Sequence, residues 1–143
     1  MATSARSQPD LLVDTSVAVA LTVADHEHHE DTFEALAGTR LGLSGHAAFE
    51  TFSVLTRLPG AARRTPATVA RLLASSFPHS RFLGADASRA LFERLVSIGI
   101  AGGSVYDALV GAAAAEHGLR LATRDRRALE TYRALEVEIE LLS

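Results

Sequence analysis

At 143 residues, the chain has room for one domain around a single core, and its 48% share of hydrophobic residues excludes wholesale disorder. A net charge of -3 excludes holding nucleic acid by charge alone, so any such contact must come from local arginine patches or a bound metal. Cysteine and lysine are both absent, which removes disulfides, thiolate metal sites, thiol nucleophiles and lysine chemistry. Lack of cysteine fits a cytoplasmic location. The longest apolar run, 108–115, is far too short to span a membrane.

Residues 1–9 are small and polar with one arginine, which predicts a flexible tail ahead of a single domain over 10–143. Residues 11–13 read as a short buried strand, and Asp14-Thr15-Ser16 opens a helix to about Val23. A polar turn at 26–29 precedes a helix over 30–37, stopped by Gly38. A second strand is expected at 41–43. The helix that follows begins at Ser44 or Gly45 and ends before Pro59-Gly60. Pro66 suits the first turn of a helix to about Ser76. A third strand is expected at 81–83, a helix over 87–98 and a break at 99–103. Ser104 then starts a helix ending at Gly118. Residues 119–122 predict a fourth strand, 126–133 a short helix and 137–142 a fifth strand. Strands separated by helices argue for parallel pairing with helices on both faces, an α/β fold.

Four carboxylates stand out on this framework. Asp14 and Asp125 follow two of the predicted strands, and that end of an open α/β sheet is where ligands bind. Each also has an ordinary reading as a helix N-cap. Asp107 has one too, because Ser104-x-x-Asp107 matches a capping box. Yet the helix after it is apolar all round, so an acid in its first turn should face a cleft. Glu50 is mid-helix and needs no cap. At 100° per residue it shares a stripe with His46, Ser53 and Arg57, away from the apolar side, and its ordinary reading is a solvated glutamate. Acids gathered without matching cations repel one another, and a divalent metal is the simplest way to stabilise such a cluster.

The ordered set Val13-Asp14-Thr15-Ser16, Glu50, Tyr106-Asp107-Ala108-Leu109 and Ala122-Thr123-Arg124-Asp125-Arg126-Arg127 resembles the PIN-domain ribonucleases. Within them it is similar to the VapC toxins of bacterial toxin–antitoxin pairs. The resemblance covers essentially residues 11–142. It implies a three-layer α/β/α fold with a five-stranded parallel sheet in the order 3-2-1-4-5, placing Asp14 and Asp125 side by side. It further implies metal-dependent RNA cleavage, a homodimer and inhibition by a VapB-type antitoxin.

In that scheme Asp14, Glu50, Asp107 and Asp125 hold one or two Mg²⁺ or Mn²⁺ ions in an oxygen-only shell. Asp14 and Asp107 are the expected direct ligands, with Glu50 and Asp125 acting through water or as base. In-line attack by an activated water leaves a 3′-hydroxyl and a 5′-phosphate. The hydroxyls of Ser16 and Thr123 either orient the acids or cap local turns. Arg124, Arg126 and Arg127 are candidate phosphate contacts, since cations at a helix start oppose its dipole. Arg63-Arg64 is a second candidate patch. The histidines at 26, 28 and 29 read as a solvated turn. A phosphoacceptor domain would share the acids but needs a lysine, which this chain lacks. The remaining alternative is a noncatalytic RNA- or protein-binding module on the same fold.

Overall fold

The computed structural model describes residues 11–143, so the expected tail at 1–9 lies outside the described residues. Four strands pair in parallel: β1 (Leu11–Val13), β2 (Leu41–Leu43), β3 (Leu121–Thr123) and β4 (Ile139–Leu141), in the order β2-β1-β3-β4. Leu12 of β1 stands opposite Gly42 of β2 and Leu121 of β3. Seven helices connect and cover them: α1 (Thr15–Thr22), α2 (His29–Leu36), α3 (Ala47–Thr56), α4 (Pro66–Ser76), α5 (Ala85–Arg94), α6 (Ser104–Glu116) and α7 (Leu129–Ala134).

Successive strand residues point to opposite faces, and the core divides accordingly. Leu11, Val13 and Ala122 pack with Val17, Leu36, Leu55, Val69 and Phe77, so α1 to α4 cover one face. Leu12 and Leu121 pack with Leu91, Ala108, Val110, Tyr132 and Leu135, so α5 to α7 cover the other. The sheet is buried on both sides, which is why β1 is apolar without alternation and every residue of β3 is buried.

The expectation of five strands is corrected. Residues 81–83 form no strand; Arg81 makes a single parallel bridge to Ser44, beside β2 where a third strand was expected. The amide N–H groups of His79 and Arg81 still donate to the carbonyls of Leu41 and Leu43 at 3.3 and 3.0 Å. The Leu43 N–H, however, donates to Ser80 Oγ at 2.9 Å instead of to a backbone carbonyl. Past the bridge, the C-terminal end of α6 takes over the backbone. His117 Nε2 lies 3.0 Å from the Phe82 carbonyl, and the Gly84 N–H donates to Glu116 at 2.8 Å. Beyond Arg81 the partners are side chains, so pairing with the sheet edge stops at a single bridge.

Gly42 is what lets this segment lie so close. A Cβ there would sit 2.2 Å from the His79 carbonyl oxygen, a backbone atom with no freedom to swing away. We expect Gly42→Ala to cost at least about 2 kcal/mol by overpacking, measurable as a lowered urea midpoint. An unchanged midpoint would refute that close approach.

The predicted helices agree with those observed to within a few residues, apart from the one expected over 87–98. That helix starts two residues early and ends at Arg94, with turns carrying the chain to Gly99. Among the described residues, no helix is long and apolar enough to cross a membrane.

Candidate active site

Asp14 directly follows β1, and its N–H donates to the Ala122 carbonyl of β3 at 3.1 Å. This pairing places the end of β1 beside the turn that carries Thr123, Arg124 and Asp125. Asp14 caps α1 by accepting from the Val17 N–H at 3.3 Å, as an N-cap aspartate should. Capping is only part of its role. The carboxylate is 4% exposed and accepts three hydroxyl hydrogen bonds besides. Ser16 Oγ donates to Oδ1 at 2.6 Å, Thr123 Oγ1 to Oδ2 at 2.5 Å and Tyr132 Oη to Oδ2 at 2.9 Å. An ionised carboxylate offers about four lone-pair sites, so a cation bound by Asp14 would have to take the place of one of these hydroxyl donors. Burial pushes the Asp14 pKa up, and the donors from Ser16, Thr123, Tyr132 and Val17 pull against it.

The two hydroxyls join this acid to the next. Ser16 Oγ also accepts the Arg124 N–H at 2.8 Å, and Thr123 Oγ1 accepts the Asp125 N–H at 3.0 Å. Orientation of Asp14 and placement of the Asp125 turn are therefore one hydrogen-bonded unit. Asp125 caps the 3₁₀ turn Arg126–Ala128 through the Arg127 N–H at 3.0 Å, and the Arg127 guanidinium lies 3.4 Å from the same oxygen.

Asp107 departs from its sequence-level reading. The α6 helix begins at Ser104, Gly103 flanks it, and no side-chain cap forms. The capping-box expectation fails because Ser104 lies inside the helix rather than before it. Released from that role, Asp107 is half-buried. Its pKa is raised by burial first, then by the negative charges of Asp125, Glu50 and Asp14, with Arg127 a partial offset. Glu50 lies in the first turn of α3, not in mid-helix, because α3 begins at Ala47. Its Oε1 accepts from Thr15 Oγ1 at 2.9 Å.

All four acids line one cavity of about 220 Å³, together with Thr15, Ser16, Val110 and Tyr132. Among the described residues, no three acidic or histidine side chains are drawn together tightly enough to clasp a single ion as they stand. The donor chemistry nonetheless fits a hard divalent cation. The set is all oxygen, the charges of Asp125, Glu50 and Asp14 raise the Asp107 pKa, and Arg127 on Asp125 is the partial offset.

Two positions carry weight that sequence reasoning missed. Thr15 was visible inside Asp-Thr-Ser but was not singled out. Tyr132 carried no signal beyond a polar group in a helical stretch. It reaches Asp14 because α6 presents Gly111, where a Cβ would stand 3.0 Å from the Tyr132 ring. Burial and the adjacent Asp14 charge raise its pKa, so the phenol stays protonated and donating. We expect Tyr132→Phe to lower activity roughly 10- to 100-fold, the usual cost of losing a partner that orients a ligand. Wild-type turnover in that variant would exclude the role.

The arginines differ among themselves. Arg124 Nη1 is tied to Thr32 Oγ1 of α2 at 3.2 Å and is half-buried, whereas Arg126 and Arg127 are exposed. All three line a groove of about 670 Å³ that meets the acidic cavity at Thr15, Ser16 and Asp125. Arg63 and Arg64 line neither. The histidine turn closes on itself, with the His28 N–H on His26 Nδ1 at 3.0 Å and His29 Nδ1 2.8 Å from the Ala20 carbonyl.

Comparison with known proteins supplies the context. Residues 11–134 match the PIN domain family model. The chain is 46% identical over 132 residues to Ribonuclease VapC27 of Mycobacterium tuberculosis, covering 92% of this chain and 96% of the relative. It is also 46% identical over 132 residues to Ribonuclease VapC40 of the same species, covering 91% and 97%. Among solved structures, VapBC2 from Rickettsia felis bound to a promoter DNA fragment superposes with a TM-score of 0.66, at 14% identity over 93% of this chain and 98% of that one. DNA-bound VapBC from Salmonella typhimurium gives 0.64, at 18% identity over 95% and 100%. Those two likenesses concern the fold alone, whereas the 46% matches span nearly the whole of both partners. The chain belongs to the PIN-domain family and, within it, to the VapC ribonucleases.

Proposed function

We propose that this protein is the toxin of a toxin–antitoxin pair and an endoribonuclease that hydrolyses RNA phosphodiester bonds at the four-acid cavity. The observation that carries the reading is the convergence of Asp14, Glu50, Asp107 and Asp125 on one cavity in a chain 46% identical to ribonucleases of the VapC family. Mg²⁺ or Mn²⁺, one or two ions, is the cofactor this oxygen-only set suits, supplying charge neutralisation and an acidified, oriented water. Asp107 and Asp14 would hold it most directly, with Glu50 and Asp125 completing the shell.

The chain's own residues prepare the site. Ser16, Thr123 and Tyr132 keep the Asp14 carboxylate in one orientation, so little reorganisation is left for the reaction. Thr15 does the same for Glu50. Either Glu50 or Asp125 can accept the proton of the attacking water, since both line the cavity and are only partly buried. Arg126 and Arg127, exposed on the adjoining groove, hold flanking phosphates, and Arg124 shapes that groove from its anchor on α2. A VapB-type antitoxin partner and a homodimer complete the proposed assembly; the solved VapBC neighbours support the first.

The test is to incubate the isolated protein with total RNA plus Mg²⁺ or Mn²⁺ and sequence the new ends. New 5′-phosphate and 3′-hydroxyl ends that vanish with chelator and with Asp14→Asn are expected. RNA binding without any cleavage would instead favour a noncatalytic RNA-binding module.

A further inference from the structure

Four aromatic rings are laid in a row beside the acidic cavity. Tyr106 stacks on His46, with centroids 5.2 Å apart and planes at 24°. His46 lies 6.2 Å from Phe49, and Phe49 meets Phe82 edge-on at 6.2 Å. Tyr106, Phe49 and Phe82 are 53%, 64% and 53% exposed, which is costly for large rings that could have been buried. Their sequence positions are telling. Tyr106 immediately precedes Asp107 and Phe49 immediately precedes Glu50, so two of the rings are carried by the same helix starts as two of the acids. A groove of about 350 Å³ lined by His46, Phe49, Ser53 and Arg57 shares Thr15 and Glu50 with the cavity.

We propose that Tyr106, backed by His46, and Phe49 form a base-stacking subsite for an unpaired nucleotide adjoining the scissile bond. This inference rests on the endoribonuclease reading. A flat ring, half exposed and supported from behind, is the surface on which an unstacked base gains most. The groove's other walls mix Val54 with polar Thr15, Ser53, Glu50 and Arg57, which accommodate ribose and phosphate as well as a base. Its continuity with the acids puts a stacked base next to the phosphate to be cut. Phe49 and Phe82 also wall a separate groove with Ala48, Phe52, Leu73 and Phe77, mostly apolar and suited to a protein contact. Tyr106 and His46 take no part in that second groove. Phe49 lines both grooves, so substitution of Tyr106 is what tells the two surfaces apart.

The test measures binding of a fluorescent single-stranded RNA spanning a mapped cleavage site, in Mg²⁺ and in an Asp14→Asn background that prevents turnover. Tyr106→Ala and Phe49→Ala should each weaken binding by about tenfold, the usual loss on removing one stacked ring, and Tyr106→Phe should stay near the parent. RNA made abasic at the nucleotide beside the cut should lose the same factor in the parent, and Tyr106→Ala should add little to that loss. Parental affinity in Tyr106→Ala would overturn the proposal. So would an undiminished Tyr106→Ala effect on the abasic strand, or a change in self-association with RNA affinity intact, which would mark a protein contact. Absence of cleavage of total RNA by the unmodified protein, with ring-dependent binding of an arbitrary single-stranded RNA, would sink the nuclease reading and leave the stacking subsite standing.

Discussion

Asp14→Asn is expected to reduce RNA cleavage by at least about 10³-fold, because a group stabilising the transition state by several kcal/mol is lost. The change removes a negative charge at the junction of β1 and β3 and keeps the volume. Asparagine has one acceptor oxygen where the carboxylate has two, so it cannot satisfy Ser16, Val17, Thr123 and Tyr132 as Asp14 does. The three hydroxyls are able to rotate, and two of them can accept from the new amide. The buried charge, which already costs desolvation, disappears. These terms oppose each other, so the net stability change should stay below about 2 kcal/mol. Cleavage rate measured beside thermal unfolding separates the two effects. Full activity in a folded Asp14→Asn protein would remove the central acid from the mechanism.

Asp107→Asn should give the opposite pairing: activity lost to a similar degree, and a metal-free protein that is more stable at neutral pH than its parent. The sign follows from the direction of the shift. The folded chain raises the Asp107 pKa above its ordinary 3.8, so the folded state binds that proton more tightly than the unfolded state does. The penalty is absent below the unfolded value and grows as pH rises through the folded one. Stability of the metal-free parent should therefore decline from about pH 4 toward neutrality through this site, and the Asn variant should decline less. The expected gain is a modest rise in Tm at neutral pH, reduced by the solvent that screens this half-buried group. Added Mg²⁺ should raise the parent's Tm and leave the variant's nearly unchanged. A variant destabilised at neutral pH and equally responsive to Mg²⁺ would contradict the assignment of Asp107 as a raised, cation-seeking acid.

Much of the molecule was legible from local pattern. Short apolar runs ending in an acid marked β1 and β3, and turn residues bounded most helices, because strand burial and capping are decided within a few positions. The third strand failed for a nonlocal reason. Residues 81–83 resemble a strand, but only Arg81 pairs with the β2 edge; the Phe82 carbonyl meets His117 and the following Gly84 N–H meets Glu116, both from another part of the chain, and the Leu43 N–H is taken by Ser80. The capping box at Ser104 failed over a shift of one residue in where α6 begins.

The functional acids divide the same way. The four acids were singled out because the ordered set of motifs is specific, and the family those motifs pointed to is the one the chain belongs to. The Tyr132 hydroxyl on Asp14 lies 118 positions away in sequence, and the Tyr106–His46 stack joins two separate helix starts. Side-chain chemistry and the order of motifs are written along the chain, so family and acid set could be read there. Which hydroxyl fills which lone pair depends on packing between elements remote in sequence, and only the folded arrangement of α6, α7 and the two central strands decided it.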